Sequence, residues 1–553
     1  MTWSVVDTPA PGKEDNVVVP GCEINAIAIG NDGRTLYVVD TPNRKLYKSE
    51  DGGATWKDVS DRLFEAAGAA VHIWNVVMAP DDVSFVVVVT DYDAVTQGPK
   101  RVFISKDGGQ NWGAVDSGLT LAANEFIGCL DVSFKYGQYR DIAIGTRNGG
   151  AGGNVLVLPA EVTAPAWRSQ NLTGTGAGDV VAVRFSPSYT ADWGIIAVAA
   201  NTNGTYINLG KRDTVAGTTT WNNAAGYTGY PVCLRASGET QYPKIADVIN
   251  ADLELPSDFL AVTVPGDSPR RRYYVGINTT GNLGYLYRVT NTSVSNITPP
   301  ASPPGKGIFS IAYFGDYRDG ELLAGEIIPY TAGRVRVWRT SSPTYLSPSW
   351  RPSQPDYGSP TGGFVTGYAN AVVAWHPDGR RAYCGTSSAA LNKGGTSIAD
   401  PNMWPGALLT VTTPGDESAF SVSPCSEWYE MQLSLTEKRL NSTLAEHWTQ
   451  LSLIDSNINR LCDVAALNVP EPKPGEEAVA DYEILYLASL SGNSSYSIWR
   501  STGLPPGQKW ERVMWLPSHN GDKGVLLRVR QPHYEDKARS RVVIYGEVEW
   551  REV

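Results

Sequence analysis

A short phrase that occurs twice near the start of the chain constrains its fold more than any other feature. The copies read SEDGGATW at 49–56 and SKDGGQNW at 105–112. Each copy follows a short apolar run and precedes a segment in which polar and apolar residues alternate. A strand, a glycine turn and a tryptophan repeated at this period are typical of radial or stacked β architectures. We therefore expect a β-rich repeat fold.

The composition agrees with a turn-rich β protein. The 553 residues include 56 glycines, 36 prolines, 17 tryptophans and 27 tyrosines, and 19% are charged. The hydrophobic fraction of 42% suffices for a large core and excludes a disordered chain. The net charge of −11 argues against nucleic acid or an anionic membrane surface as the main partner. The one basic cluster, 270–272, is either a solvent-facing edge of a hairpin or an anion-binding patch.

The tryptophan spacing and a second pattern extend the repeat along the chain. Trp56, Trp112, Trp167 and Trp221 follow one another at steps of 56, 55 and 54 residues. Pairs of apolar segments joined by Pro, Asp or Gly turns predict β-hairpins between these tryptophans and beyond them. Nine such hairpins begin near Ile27, Val76, Leu130, Val181, Ala246, Phe309, Val372, Leu461 and Val525.

The hairpins predict an all-β fold, a single large β-propeller of about nine four-stranded blades, within a range of eight to ten. Eight segments that could complete a blade follow the hairpins, and the N-terminal segment Trp3-Ser4-Val5-Val6 supplies a ninth. We therefore expect the N-terminal strand to close the ring, which would remove exposed sheet edges. The prediction treats 1–553 as one domain. An elaborated insertion at about 385–447 is either a specificity element or neutral.

The two phrases resemble the Asp-box, also called the BNR repeat, whose pattern is Ser-x-Asp-x-Gly-x-Thr-Trp. The second copy has Asn111 where threonine is usual. The resemblance implies a turn between the third and fourth strands of a blade. It also implies a propeller of the sialidase and sortilin-like superfamily, similar to multi-blade proteins of bacterial and archaeal surfaces. The matching residues are Ser49, Asp51, Gly53, Thr55, Trp56, Ser105, Asp107, Gly109 and Trp112.

The chemistry of the two phrases favours a structural turn. The carboxylates of Asp51 and Asp107 can accept hydrogen bonds from turn N–H groups. Gly53 and Gly109 can adopt a positive φ that a side chain would penalise. A tryptophan at the end of the phrase is suited to packing at the edge of a blade. We expect these residues to stabilise the fold and not to catalyse a reaction.

A carbohydrate-active enzyme of the sialidase or xyloglucanase type is the alternative that the resemblance leaves open. A sialidase would need an arginine triad, and a glycosidase would need two carboxylates at a defined separation. The sequence alone neither arranges the arginines into a triad nor ranks the acidic residues, so we predict no catalytic residue. The candidates considered are Arg140, Arg147, Arg334, Arg336, Asp40, Asp91, Asp93 and Glu326.

The sequence predicts no metal site and no cofactor. The six cysteines are dispersed without a C-x-x-C pair, and the five histidines form no H-E-x-x-H motif. Cys384 and Cys425 flank the insertion and either pair or stay free. Seven N-x-S/T acceptor sites occur where roughly five are expected by chance, so they do not decide the compartment. They are Asn171, Asn203, Asn278, Asn291, Asn296, Asn441 and Asn493.

The functional expectation is a non-enzymatic scaffold or recognition module that is secreted or lies on the cell surface. Its propeller-face loops would bind a protein, a glycan or a neighbouring copy, including as a subunit of a surface layer or filament. The start of the chain, Met1-Thr2-Trp3-Ser4, has no signal-peptide features. Either the protein stays in the cytoplasm, or the chain is a mature or trimmed form, and the extracellular expectation rests on the resemblance. The chain is also a candidate part of a longer protein.

Overall fold

A computed structural model describes the chain from residue 24 to residue 548, with gaps. Strands dominate the described part, and helices are short. The described residues are 24–41, 44–53, 56–95, 98–149, 152–240, 242–245, 247–262, 269–279, 284–300, 307–329, 336–355, 368–379, 382–387, 423–424, 447–448, 458–468, 483–491, 496–501, 511–516, 525–530 and 543–548.

Short apolar segments form antiparallel sheets in which four strands pair in chain order. Their valine, isoleucine and tyrosine side chains favour strands because they pack well on a pleated, buried surface. This strand order is that of a propeller blade. The first three sheets are blade A, with β1 (Ile24–Ile29), β2 (Leu36–Asp40), β3 (Lys45–Ser49) and β4 (Lys57–Asp58); blade B, with β5 (Ile73–Ala79), β6 (Asp82–Thr90), β7 (Arg101–Ser105) and β8 (Gly113–Ala114); and blade C, with β9 (Phe126–Val132), β10 (Asp141–Arg147), β11 (Val155–Pro159) and β12 (Arg168–Ser169).

Three further sheets have the same form. One of them adds a fifth strand, which pairs with its third strand. They are blade D, with β13 (Asp179–Phe185), β14 (Gly194–Asn201), β15 (Gly204–Asp213), β16 (Thr218–Trp221) and β17 (Val232–Cys233); blade E, with β18 (Val248–Glu254), β19 (Arg272–Thr279), β20 (Gly284–Thr290) and β21 (Ser293–Asn296); and a sixth blade, with β30 (Ile458–Asn468), β31 (Glu483–Ser491), β32 (Tyr496–Ser501) and β33 (Glu511–Leu516).

The remaining strands form a merged sheet and a separate hairpin. An eight-stranded sheet arises because β23 pairs with β26, through Ile327 opposite Asn370. Its last strand, β29, pairs with β25 in parallel. The strands are β22 (Gly307–Gly315), β23 (Gly320–Pro329), β24 (Val337–Thr340), β25 (Arg351–Pro355), β26 (Tyr368–Trp375), β27 (Ala382–Ser387), β28 (Ser423–Pro424) and β29 (His447–Trp448), followed by the hairpin of β34 (Val525–Arg530) and β35 (Val543–Val548).

The all-β propeller fold is confirmed, but the predicted number of about nine blades is wrong. All nine predicted hairpins exist as antiparallel strand pairs, whereas the described residues form six separate blades. Two hairpins share the eight-stranded sheet. The last hairpin forms a separate sheet of two strands among the described residues. The predicted closing strand at Trp3–Val6 lies outside the described residues, as does most of the insertion at 385–447.

In the described part of the chain, three short helical segments connect the strands. The helix α1 (Ser60–Ala67) follows blade A and ends at Gly68, which has a left-handed φ of 79°. A one-turn helix, α2 (Tyr189–Asp192), lies in the first hairpin of blade D, and a 3-10 turn spans Asn222–Ala225. These segments are too short to alter the β architecture.

The hydrophobic core lies between neighbouring sheets. One cluster joins Tyr37 and Val39 on blade A to Val86 and Phe103 on blade B. Comparable clusters join blades B and C, C and D, and D and E. The inner strands follow one another side by side in the order β1, β5, β9, β13, β18, β22 and β26, and β26 in turn contacts β1. This packing places the seven inner strands around a common axis.

Candidate functional site

The seven inner strands line one cavity of about 410 Å³. Its wall combines polar groups with apolar side chains such as Ile27, Val76, Leu130, Ile311 and Val373. Polar and charged groups occur at few positions along each strand. Those that line the cavity are Asn25, Asn75, Arg184, Asn250, Asp252, Glu254 and Ser310.

A β-bulge near the start of six of the seven inner strands brings equivalent positions to the same level. The pairing register skips one residue in β1, β5, β9, β13, β18 and β22. A bulge places one extra residue on its strand and re-aims the side chains that follow. Residues at the same distance in sequence from the bulge therefore occupy equivalent positions in the different strands. The skipped residues are Asn25, Trp74, Gly128, Val181, Ile249 and Phe309.

Three consecutive inner strands carry charges at the same position, three residues after the bulge. These residues are Asp131 on β9, Arg184 on β13 and Asp252 on β18. The Arg184 guanidinium lies 3.4 Å from Asp131 Oδ1 and 3.6 Å from Asp252 Oδ1. It also lies 3.1 Å from Glu254 Oε1, and its Nε donates to the Leu253 carbonyl at 3.0 Å. We call Arg184, Asp131, Asp252 and Glu254 the Arg184 cluster.

The two aspartates of the Arg184 cluster also bond to the backbone of the next inner strand. Asp131 Oδ2 accepts a hydrogen bond from the Phe185 N–H at 2.7 Å, and Asp252 Oδ2 accepts one from the Ile311 N–H at 2.9 Å. Among the described residues, Glu254 has Arg184 as its hydrogen-bond donor. The cluster thus links blades C, D and E to β22.

Burial shapes the electrostatics of the Arg184 cluster. Burial raises the pKa of Asp131 against the opposing effect of Arg184. Burial raises the pKa of Glu254 to about 7, although Arg184 acts to lower it. Burial would lower the pKa of Arg184, but Glu254, Asp131 and Asp252 outweigh it and raise that pKa. One fixed positive charge therefore faces three carboxyl groups.

None of the four residues of the Arg184 cluster was predicted from the sequence as a site residue. A usable signal was present, because the inner strand of each of blades C, D and E places a charge between apolar residues. The runs are Leu130-Asp131-Val132, Val183-Arg184-Phe185 and Ala251-Asp252-Leu253. Recognising that these charges share one level requires the bulge positions, which the sequence does not reveal.

The phrase at 105–112 forms a tight turn between β7 and β8. Ser105 Oγ donates to Asp107 Oδ1 at 2.8 Å and accepts from the Gly109 N–H at 2.8 Å. Asp107 Oδ1 also accepts from the Asn111 N–H at 2.9 Å. The Asn111 side chain and backbone lower the pKa of Asp107 to about 2. The residue that departs from the usual pattern therefore takes part in the turn.

The phrase at 49–56 forms the corresponding turn between β3 and β4. Ser49 Oγ donates to Asp51 Oδ1 at 2.8 Å and accepts from the Gly53 N–H at 2.9 Å. Gly53 has a φ of 90°, and Gly109 has a φ of 87°. Trp56 is buried and donates to the Gly53 carbonyl at 3.0 Å, whereas Trp112 is half-buried. Thr55 lies outside the described residues.

The candidate arginines and carboxylates of the sequence analysis lie in different contacts. Arg140 pairs with Asp81 at 2.5 Å. Arg147 donates to the carbonyls of Val248 and Ile249. Asp91 accepts from His72, Trp74 and Gly98, and Glu326 accepts from Trp338 Nε1 at 2.5 Å. The Arg336 N–H donates to Glu326 Oε2 at 3.1 Å, and Arg334 lies outside the described residues. The candidates that the structure describes do not form one common site.

The basic cluster at 270–272 is engaged with neighbouring groups. Arg270 pairs with Asp258 at 3.0 Å. Arg271 donates to the Ala261 carbonyl at 2.6 Å, and its guanidinium lies over the Tyr227 ring. Arg272 donates to the Tyr317 carbonyl. These contacts favour the interpretation as a hairpin edge over an anion-binding patch.

Metal-ligating side chains and cysteines are dispersed among the described residues. No group of three or more His, Cys, Asp or Glu side chains among them could hold a metal ion. Cys129, Cys233 and Cys384 are free thiols, and Cys425 lies outside the described residues. Within the described part of the chain, no helix is long and apolar enough to cross a membrane.

Four-stranded blades packed around a central cavity define the chain as a β-propeller protein. No family model and no curated protein matches it. Among solved structures, it is similar to hydrazine synthase from Kuenenia stuttgartiensis at 12% identity and a TM-score of 0.39, covering 69% of this chain and 95% of that chain. Saccharomyces cerevisiae Sqt1 is similar at 9% identity and a TM-score of 0.38, and the match covers 92% of this chain and 100% of Sqt1. The β-propeller domain of Myceliophteria thermophila Cps50 (Swd1) is similar at 8% identity and a TM-score of 0.39, and the match covers 67% of this chain and 95% of that domain. Similarities at this level carry no functional argument.

Proposed function

We propose that this protein is a non-enzymatic recognition or scaffold module, secreted or on the cell surface. The observation that carries the proposal is the use of the cavity charges as ties between blades. Arg184 bonds to carboxylates on two neighbouring inner strands, and both aspartates accept backbone N–H groups. Groups held in this way stabilise a rigid frame, which can present loops to a partner.

The loops offer exposed apolar side chains for such contacts. Five of them lie on three loops of blades B and D and of the eight-stranded sheet. Aromatic and aliphatic groups at loop tips are common anchors in recognition of proteins and glycans. We propose that these loops bind a protein, a glycan or a neighbouring copy. The residues are Tyr92, Val95, Val215, Tyr345 and Leu346.

Two finer assignments belong to the same proposal. We propose that the turns at 49–56 and 105–112 are Asp-boxes and that the chain is one domain over 1–553. We further propose that the insertion at 385–447 contributes to partner choice. Assembly into a surface layer or filament would follow from self-association through the loops.

The proposal is tested by comparing binding, assembly and turnover in one preparation. Sedimentation measures self-association, and an immobilised glycan panel measures binding. We expect association or binding without release of any sugar product. The matched variant Y345S/L346S should weaken binding while the thermal midpoint stays unchanged. Unaltered binding and assembly in that variant would contradict the proposed role of the loops. Sustained glycan turnover would overturn the proposal of a non-enzymatic module.

A carbohydrate-active enzyme is the second candidate, and the Arg184 cluster favours it over other enzyme classes. The pKa of Glu254 is raised to about 7 by burial, which suits a general acid near neutral pH. Asp131 and Asp252 face the same guanidinium. Assays on sialosides and xyloglucan decide between the candidates. Turnover that is lost in both E254Q and D131N would favour the enzyme.

A further inference from the structure

We propose that the Arg184 cluster is a pH-responsive clamp: its carboxyl groups share one proton, and the loss of that proton weakens the contact between blades C, D and E. The geometry supports this inference first. Three carboxyl groups contact one guanidinium, at 3.1, 3.4 and 3.6 Å. If all three carboxyl groups ionise, three negative charges surround one positive charge. Repulsion between the carboxylates therefore disfavours full ionisation.

The hydrogen bonds point to Glu254 as the carboxyl group that holds the proton. Asp131 and Asp252 each accept a backbone N–H in addition to facing Arg184. Hydrogen bonds of this kind favour the charged form of a carboxylate. Glu254 receives its hydrogen bond from Arg184, so its charged form is the least supported. The pKa of about 7 that burial gives Glu254 agrees with this assignment.

The other groups around Glu254 do not supply a compensating charge near neutral pH. On β19, Tyr274 is its register partner, and burial raises the pKa of Tyr274 to about 12. On β22, Tyr313 lines the cavity, and burial also raises its pKa. On β9, burial raises the pKa of the Cys129 thiol to about 12. The charged groups that face Glu254 are therefore Arg184 on β13, Asp131 on β9 and Asp252 on its own strand.

The sign of the pH effect follows from linkage. The pKa of Glu254 is higher in the folded protein than in the unfolded chain, where it lies near its usual value of 4.5. The folded state therefore binds more protons between about pH 4.5 and pH 7. This contribution to stability is fully present below the unfolded pKa and is lost as the pH rises through 7. Each pH unit in that window lowers the ratio of folded to unfolded protein by up to about tenfold.

The decisive experiment compares the pH dependence of urea unfolding in the full-length wild type and in E254Q. From pH 5 to pH 7 we expect the wild type to lose stability relative to E254Q by at least about tenfold in the folded ratio. A matched control is E65Q, because Glu65 is exposed on α1 and pairs with Arg62 at 3.4 Å. The E65Q profile should run parallel to that of the wild type. Parallel profiles for the wild type and E254Q would overturn the proposal.

A second measurement follows the proton directly and does not depend on the stability of E254Q. Carbon-13 NMR of glutamate carboxyl groups should show one resonance with a midpoint near pH 7. In D252N, removal of a neighbouring negative charge should move that midpoint down by a measurable amount. A glutamate midpoint near 7 that is unchanged in D252N would indicate burial alone and would refute the shared proton. Absence of any glutamate midpoint above pH 6 would refute the clamp.

Discussion

The hydroxyl of Tyr383 donates a hydrogen bond to the carbonyl oxygen of Gly52 at 2.9 Å, across 331 positions of sequence. The same bond recurs between Tyr37 and Gly108 at 2.6 Å. In both cases a tyrosine on the second strand of one sheet bonds to the turn between the third and fourth strands of another. The glycine turns therefore fasten one sheet to the next as well as reversing the chain.

Removing the Tyr383 hydroxyl tests this fastening. We expect Y383F to lower the free energy of unfolding by about 1 kcal/mol, the usual net value of one such bond. Urea unfolding followed by tryptophan fluorescence measures the loss. The matched control is Y345F, because Tyr345 is 67% exposed and its ring hydroxyl should contribute little. Equal stability of Y383F and the wild type would contradict the role of the bond.

The two glycine turns also require space for the tyrosine ring. At Gly109 the φ is 87°, and an added Cβ would lie 3.3 Å from the Tyr37 hydroxyl oxygen. At Gly68 the φ is 79° and a Cβ would meet nothing within 4 Å. We expect G68A to cost about 1 kcal/mol from backbone strain and G109A to cost more. If G68A and G109A have the same free energy of unfolding, the crowding between the added Cβ and Tyr37 is unimportant.

Acid should release the turn at 105–112. The pKa of Asp107 is about 2, chiefly because the Asn111 side chain hydrogen-bonds to it. That value lies below the unfolded one, so the stabilisation is present above about pH 4 and is lost as the pH falls towards 2. We expect the stability difference between the wild type and D107N to shrink across this window. A difference between the wild type and D107N that stays constant from pH 4 to pH 2 would contradict the role of the Asp107 carboxylate.

Burial decides which of the acceptor asparagines can carry a glycan. Asn278 lies on β19 with 0% exposure, whereas Asn171, Asn203 and Asn291 are exposed. Attachment of an oligosaccharide needs an accessible amide. In a host that glycosylates secreted proteins, we expect peptide mass spectrometry to find Asn278 unmodified. A modified Asn278 in folded protein would contradict the packing between blade E and β22.

Local sequence patterns predicted most of the strand pairs but not their grouping into sheets. Each hairpin follows from apolar runs separated by turn residues within about 20 positions, and all nine are present. The number of blades depends on which outer strand joins which hairpin. The pairing of Ile327 with Asn370 merges two hairpins into one sheet, and no local pattern encodes that contact.

The tryptophan repeat was visible in the sequence, while its contacts were not. Trp167 Nε1 donates to the Val115 carbonyl at 2.7 Å, Trp221 Nε1 to the Gln170 carbonyl at 2.8 Å, and Trp350 Nε1 to the Ile297 carbonyl at 2.9 Å. In each case the indole of one unit bonds to the chain just after the outer strand of the preceding unit. Three units therefore share this contact, whereas Trp56 donates within its own turn, to the Gly53 carbonyl.

The amino-acid sequence by itself determined the hairpins, the glycine turns and the apolar inner strands, because these depend on residues close together in the chain. Only the tertiary structure decided that Arg184 lies between Asp131 and Asp252 at equivalent positions of three neighbouring inner strands. These positions are set by bulges in three strands and by the packing of blades C, D and E. A charge in a single strand has no partner until neighbouring strands are placed beside it, and that placement is a property of the whole fold.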